Sequence, residues 1–131
     1  MTIFVDASAI VAIVYGEPEA DAFADAIERH NDRCYCAIGA WEATRAIAKL
    51  RGIGLMEAYA TVTNFVQEAG LRLAAIGAPE SEEAIMAAAR YGKGVHPAGL
   101  NMGDCFAYAC AKASDAHLLY KGDDFSQTDL A

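Results

Sequence analysis

The chain has 131 residues, 55% of them hydrophobic and 21% charged, which suits one domain with a real core and excludes a disordered segment. Ten basic against eighteen acidic residues leave a net charge of −8, which argues against nonspecific adhesion to nucleic acid or anionic membranes because the long-range field is repulsive. Nucleic acid as a substrate is not excluded, since divalent cations at a carboxylate cluster reverse the local sign.

Residues 2–5, TIFV, form a short apolar strand-like run ending at Asp6. The segment SAIVAIVYG predicts a buried first helix, with Ser8 near its start and Gly16 just past its end. Pro18 fits the first position of a second helix whose apolar face is Phe23, Ala26, Ile27 and His30. Residues 34–38, CYCAI, predict a second strand. A helix from about Ala40 follows, with Glu42 in its first turn and Gly52 as its C′ residue. Leu55, Tyr59, Val62, Val66 and Ala69 make one stripe of a fourth helix, and RLAAI at 72–76 reads as a third strand. Pro79 opens a fifth helix bearing Ala84, Ile85, Ala88 and Ala89, which decays into the loop YGKGVHPAG. Asn101 is an N-cap for a helix over 103–114, with Asp104 in its first turn. HLLYK at 117–121 is the last strand, and Gly122-Asp123-Asp124-Phe125 follows directly.

No apolar run approaches the ~18 residues that span a membrane, and no basic n-region precedes the first strand, so a cytoplasmic protein without a membrane partner is expected. Cys34, Cys36, Cys105 and Cys110 lack the spacing of a zinc site or a disulfide framework and read as small packed hydrophobes. Trp41, Tyr59 and Phe65 are expected in the core.

Short strands alternating with helices predict an α/β domain, a three-layer α/β/α arrangement with a short, mostly parallel central sheet. Ligands of such sheets bind outside the carboxyl ends of the strands. Asp6 and Asp123 follow the first and last strands, and Glu42 and Asp104 open helices that can point at the same edge. Each acid also has a plainer reading as a turn former or a partner of a helix dipole. Four carboxylates gathered without a counter-charge raise one another's pKa, a conflict that a divalent cation removes. An oxygen-only set with no histidine suits Mg²⁺ or Mn²⁺ rather than zinc. Arg45, Lys49, Arg90, Lys93 and His96 read as solvated surface rather than as a phosphate track.

Three segments, FVDASAIVAIVYGEPEA, HPAGLNMGDCFAYACAK and LLYKGDDFSQTDL, resemble in order and spacing the PIN-domain ribonucleases, specifically VapC-type toxins of bacterial toxin–antitoxin pairs. The resemblance implies that Asp6, Glu42, Asp104 and Asp123 form the family's acidic cluster, which holds Mg²⁺ or Mn²⁺. Asp124 is the alternative for the fourth place. Ser8 matches the small hydroxyl residue beside the first acid, and Asn101 the polar residue before the third. The implied reaction is metal-dependent endonucleolytic cleavage of RNA with a metal-bound water as nucleophile. The implied partners are a VapB-like antitoxin and a second toxin copy in a homodimer or a larger toxin–antitoxin assembly. As an alternative to core packing, the second and fourth helices form a groove for an antitoxin helix, and an antitoxin arginine could neutralise the metal site.

Other classes fit less well. A haloacid-dehalogenase-like phosphatase needs a second Asp where this chain has Ser8. A response-regulator receiver needs an early acid pair that is absent. The non-enzyme alternative is a catalytically silent PIN-fold module kept for protein binding.

Overall fold

The computed structural model describes residues 1–131. Four strands and six helices follow one another as β1 (Thr2–Val5), α1 (Ala7–Tyr15), α2 (Ala20–Glu28), β2 (Asp32–Tyr35), α3 (Ala37–Arg51), α4 (Leu55–Glu68), β3 (Arg72–Leu73), α5 (Ala78–Tyr91), α6 (Met102–Ala113) and β4 (His117–Leu119). The sheet has the order β3-β2-β1-β4, and every pairing is parallel. No helix is long and apolar enough to cross a membrane.

Strand alternation distributes the core to two faces. Phe4 points one way, with Cys34 and Leu118, into a core closed by α5 and α6 through Ala84, Ala87, Tyr91, Cys105, Tyr108 and Ala109. Ile3 and Val5 point the other way, into a core closed by α1, α3 and α4 through Ile10, Ile47, Ala58, Val62 and Val66. The sheet is thus covered on both faces, as a parallel sheet must be. All four cysteines are free and buried, as small hydrophobes.

Several element boundaries differ from those the sequence predicts. β2 occupies 32–35 rather than 34–38, because Cys36 leaves the ladder and caps α3, its Sγ accepting the Gly39 N–H at 3.5 Å. α3 therefore begins at Ala37, and Glu42 lies in its second turn instead of its first. Pro18 sits in the turn before α2, not at its first position, and His30 lies beyond its end. β3 is only two residues long: Ala74 N–H still reaches the Tyr35 carbonyl at 2.7 Å, and then the chain turns toward Gly77, the N-cap of α5. β4 stops at Leu119 rather than at Lys121. α5 buries Ala84, Ala87 and Tyr91, leaving Ile85 exposed.

The expectation of a core position fails for Trp41 and Tyr59, which are 58% and 52% exposed. With Leu55, Met56, Val62 and Leu73 they line a groove of about 430 Å³ between α3 and α4, so the apolar groove lies between the third and fourth helices and not the second and fourth. The Arg45 guanidinium stands over the Trp41 ring at 5.1 Å, a cation–π contact.

Candidate active site

The strand order reverses beside β1: β2 lies on one side and β4 on the other, each reached by a separate crossover. A crevice opens at such a switch point, outside the carboxyl ends of the two diverging strands. Here it is a cleft of about 440 Å³ lined by Asp6, Ser8, Glu17, Glu42, Asp104, Lys121, Gly122 and Asp124, among others.

Asp6 is placed by the end of β1, where its N–H continues the ladder to the Leu119 carbonyl at 3.0 Å. The next residue starts α1, with Asp6 as the N-cap. Its Oδ2 accepts both the Ser8 N–H at 3.1 Å and the Ser8 hydroxyl at 2.6 Å. Asp6 is only 6% exposed. Burial pushes its carboxyl above the usual range, against the lowering effect of the Ser8 bonds.

Asp104 arrives by a reciprocal cap. Asn101 Oδ1 accepts the Asp104 N–H at 2.9 Å, and Asp104 Oδ2 accepts the Asn101 N–H at 3.1 Å, a capping box at the head of α6. Asn101 itself does not line the cleft; it acts by fixing the first turn that carries Asp104. Burial, with Asp124 and Asp6 as neighbouring charges, pushes Asp104 up to about 6.

Glu42 reaches the cleft from the second turn of α3. Burial raises its carboxyl to about 7, with the charges of Asp6 and Asp104 adding to the effect. Its carboxylate lies against Gly103 of α6, so closely that a Cβ at position 103 would overlap it.

The fourth carboxylate on the cleft is Asp124; Asp123 is not part of the lining. Gly122, at φ +99°, turns the chain after β4, and the Asp123 carbonyl accepts both the N–H and the hydroxyl of Ser126. Phe125 anchors the loop from below, 1% exposed and packed edge-on to Tyr120. Farther on, Asp129 ties the C-terminal segment to α5 and α6 by accepting the Tyr108 hydroxyl at 2.6 Å and the Tyr91 hydroxyl at 3.4 Å and pairing with Lys112.

Two cleft residues escape sequence reasoning. Lys121 is the cation on the lining, and its Nζ pairs with Glu17 and lies 3.5 Å from Glu19 Oε1. Its own backbone N–H donates to Ser8 Oγ at 2.9 Å. Glu17 is a fifth acid on the wall, already engaged by that lysine. A lysine directly after an acid-bearing sheet edge was the available signal. Arg45 and Lys49, by contrast, do not line the cleft.

Asp6, Glu42, Asp104 and Asp124 offer only carboxylate oxygen, the donor type that hard divalent cations take. The raised Glu42 and Asp104 carboxyls record burial first and like charge second, and a bound cation would offset both. No three His, Cys, Asp or Glu side chains already form a set able to hold a metal ion. The acids feel one another across the cleft without touching, an arrangement that fits Mg²⁺ bound through one or two carboxylates and several waters.

Comparison with known proteins agrees with this architecture. The PIN domain family matches residues 3–130. A VapC ribonuclease of Rhizobium meliloti strain 1021 is 42% identical over 142 residues, covering 97% of this chain and 98% of that protein. Ribonuclease VapC30 of Mycobacterium tuberculosis strain H37Rv is 38% identical over 128 residues, covering 97% and 95%. Among solved structures, the Mycobacterium tuberculosis toxin VapC20, described as cleaving the Sarcin-Ricin loop, superposes with a TM-score of 0.78 over 98% of this chain and 96% of its own. At 15% identity that likeness establishes the fold alone. From the family match and the full-length relatives together, the chain belongs to the VapC family of PIN-domain proteins.

Proposed function

We propose that this protein is a Mg²⁺- or Mn²⁺-dependent endoribonuclease, the toxin of a VapBC-type pair, working at the cleft formed by Asp6, Glu42, Asp104 and Asp124. The observation that carries the reading is that these acids, from four distant segments, line one crevice at the switch point of the sheet. Relatives named VapC ribonucleases, matched over nearly the whole chain, support RNA as the substrate.

Asp6, Glu42, Asp104 and Asp124 would hold the cation together, one or two of them directly and the others through its waters. When bound, the cation supplies a Lewis acid for hydrolysis of an RNA phosphodiester. The protein contributes position. Ser8 holds Asp6 through two bonds to one oxygen, Asn101 holds Asp104, and the loop anchored by Phe125 carries Asp124. Without a cation Glu42, at about 7, holds its proton into the neutral range and Asp104, at about 6, loses its proton just below it; entering positive charge releases them, so cation affinity rises with pH. An open, solvent-facing cleft suits a polymer strand better than a small ligand enclosed on all sides.

The proposed protein partner is a VapB-like antitoxin, and the groove between α3 and α4 is its docking surface. An amphipathic helix fits an apolar groove of this kind. An antitoxin arginine would pair with the cleft acids. The protein is further proposed to act in the cytoplasm and to pair as a homodimer.

The test is incubation of purified protein with single-stranded and structured RNA in EDTA, Mg²⁺ or Mn²⁺, with and without antitoxin peptide. Cleavage confined to the cation lanes and blocked by peptide is expected. Undiminished cleavage in EDTA contradicts the metal dependence, and undiminished cleavage with peptide bound contradicts the antitoxin's role. The rival reading, a silent binding module, predicts peptide binding with no cleavage under any condition.

A further inference from the structure

Gly103 is buried in the first turn of α6, and its backbone is ordinary helix, with no positive φ to demand a glycine. Glycine in a helix costs up to ~1 kcal/mol relative to alanine, so a buried helical glycine calls for a packing reason. The reason here is specific. A Cβ built on Gly103 would clash with the Glu42 carboxylate, falling inside contact distance of its carbon and both oxygens. The three nearest neighbours of that missing Cβ are all Glu42 atoms, none of them backbone.

We propose that Gly103 is a positioning residue of the cleft: its bare Cα is the seat that brings the Glu42 carboxylate of α3 against the head of α6, beside Asp104. The inference rests on the nuclease reading above and adds to it a residue that holds no ligand itself. The seat lies at the positive end of the α6 dipole, which favours a carboxylate. Any side chain at 103 displaces the end of a flexible Glu rather than a backbone, so the fold survives while Glu42 leaves its place.

The experiment is a double-mutant cycle of Gly103→Ala and Glu42→Asp, read by melting temperature, RNA cleavage, Mn²⁺ calorimetry and the Glu42 carboxyl ¹³C resonance of the metal-free protein. Glu42→Asp shortens the side chain by one methylene and withdraws it from the added Cβ. With Glu42 present, Gly103→Ala is expected to leave the melting temperature unchanged or higher, lower kcat/KM by about tenfold or more, weaken Mn²⁺ binding and move the Glu42 resonance. In the Glu42→Asp background, Gly103→Ala should change cleavage and Mn²⁺ binding by less than about twofold. An equal loss in both backgrounds, a large fall in melting temperature, or an unmoved Glu42 resonance overturns the proposal. Wild-type protein that fails to cleave RNA counts against the nuclease reading, whereas the resonance decides the Gly103 inference without RNA or metal.

Discussion

The Ser8 hydroxyl donates to Asp6 Oδ2 at 2.6 Å, and the Ser8 Oγ in turn accepts the Lys121 N–H at 2.9 Å. One side chain therefore joins the carboxyl end of β1 to the segment leaving β4, the two strands whose ends flank the cleft. Ser8→Ala would strip Asp6 of its hydroxyl donor and leave the Lys121 N–H without a partner in a partly buried place. The expected cost is about 1–3 kcal/mol in urea unfolding, with a further rise in the Asp6 pKa and reduced cleavage. Ser8→Thr, which keeps the hydroxyl, should retain most of both. A Ser8→Ala protein as stable as wild type would show that the bridge contributes nothing.

The two adjacent acids after β4 separate cleanly. Asp124→Asn should lower kcat/KM by about tenfold or more, since Asp124 lines the cleft and its charge acts on Asp6 and Asp104. Asp123→Asn should stay within about twofold of wild type, because only its backbone carbonyl is engaged, in the turn to Ser126. The reverse ranking would place the fourth acid at 123.

The buried acids also set how stability depends on pH. Glu42 moves from its ordinary 4.5 to about 7, Asp104 from 3.8 to about 6, and Asp6 upward as well. Between those values the folded protein binds more protons than the unfolded chain, so stability falls as pH rises through that window. Asp32, lowered to about 2 by Arg72, acts in the opposite sense only at more acid pH. The melting temperature in EDTA should thus drop from pH 5 to pH 8, and Glu42→Gln should flatten the drop. Added Mn²⁺ should raise it more at pH 8 than at pH 5. A metal-free protein that grows more stable across this range contradicts the raised carboxyls.

Trp41 and Tyr59 make a different kind of prediction. Being more than half exposed, they can be changed at a cost of roughly 0.5 kcal/mol or less. Tyr59→Glu should preserve melting and RNA cleavage while weakening antitoxin binding at least tenfold, about the effect of one lost contact in the centre of an interface. Retained affinity would move the docking surface elsewhere.

Much of this was legible in the residues. The N-cap pairing of Asn101 with Asp104, the glycine ends of α1 and α3, and the parallel three-layer frame all follow from local patterns that tertiary contacts reinforce. The features that the sequence leaves open or misplaces have separate causes. Cys36 caps a helix through its sulfur, a role propensity does not assign it, and this moves the start of α3 to Ala37 and Glu42 from its first turn to its second. Trp41 and Tyr59 sit on apolar helix stripes, yet the space between α3 and α4 is left open, which periodicity within one helix cannot reveal. Asp123 and Asp124 differ only by the turn at Gly122, and side-chain direction in an irregular loop has no period to read. The Gly103 seat needs α3 and α6 side by side, a relationship between residues far apart in the chain.

The most direct test of a cation-dependent nuclease cleft is RNA cleavage by wild type and Asp104→Asn in EDTA, Mg²⁺ and Mn²⁺, with melting temperatures in EDTA. The substitution keeps an oxygen for the Asn101 N–H and so preserves the cap, but removes the charge a hard cation needs. Wild type is expected to cleave only with a cation, Asp104→Asn to lose about a hundredfold or more, and the variant to melt no lower than wild type. Equal cleavage by the two proteins, or loss of cleavage that merely tracks loss of folding, would contradict the nuclease cleft.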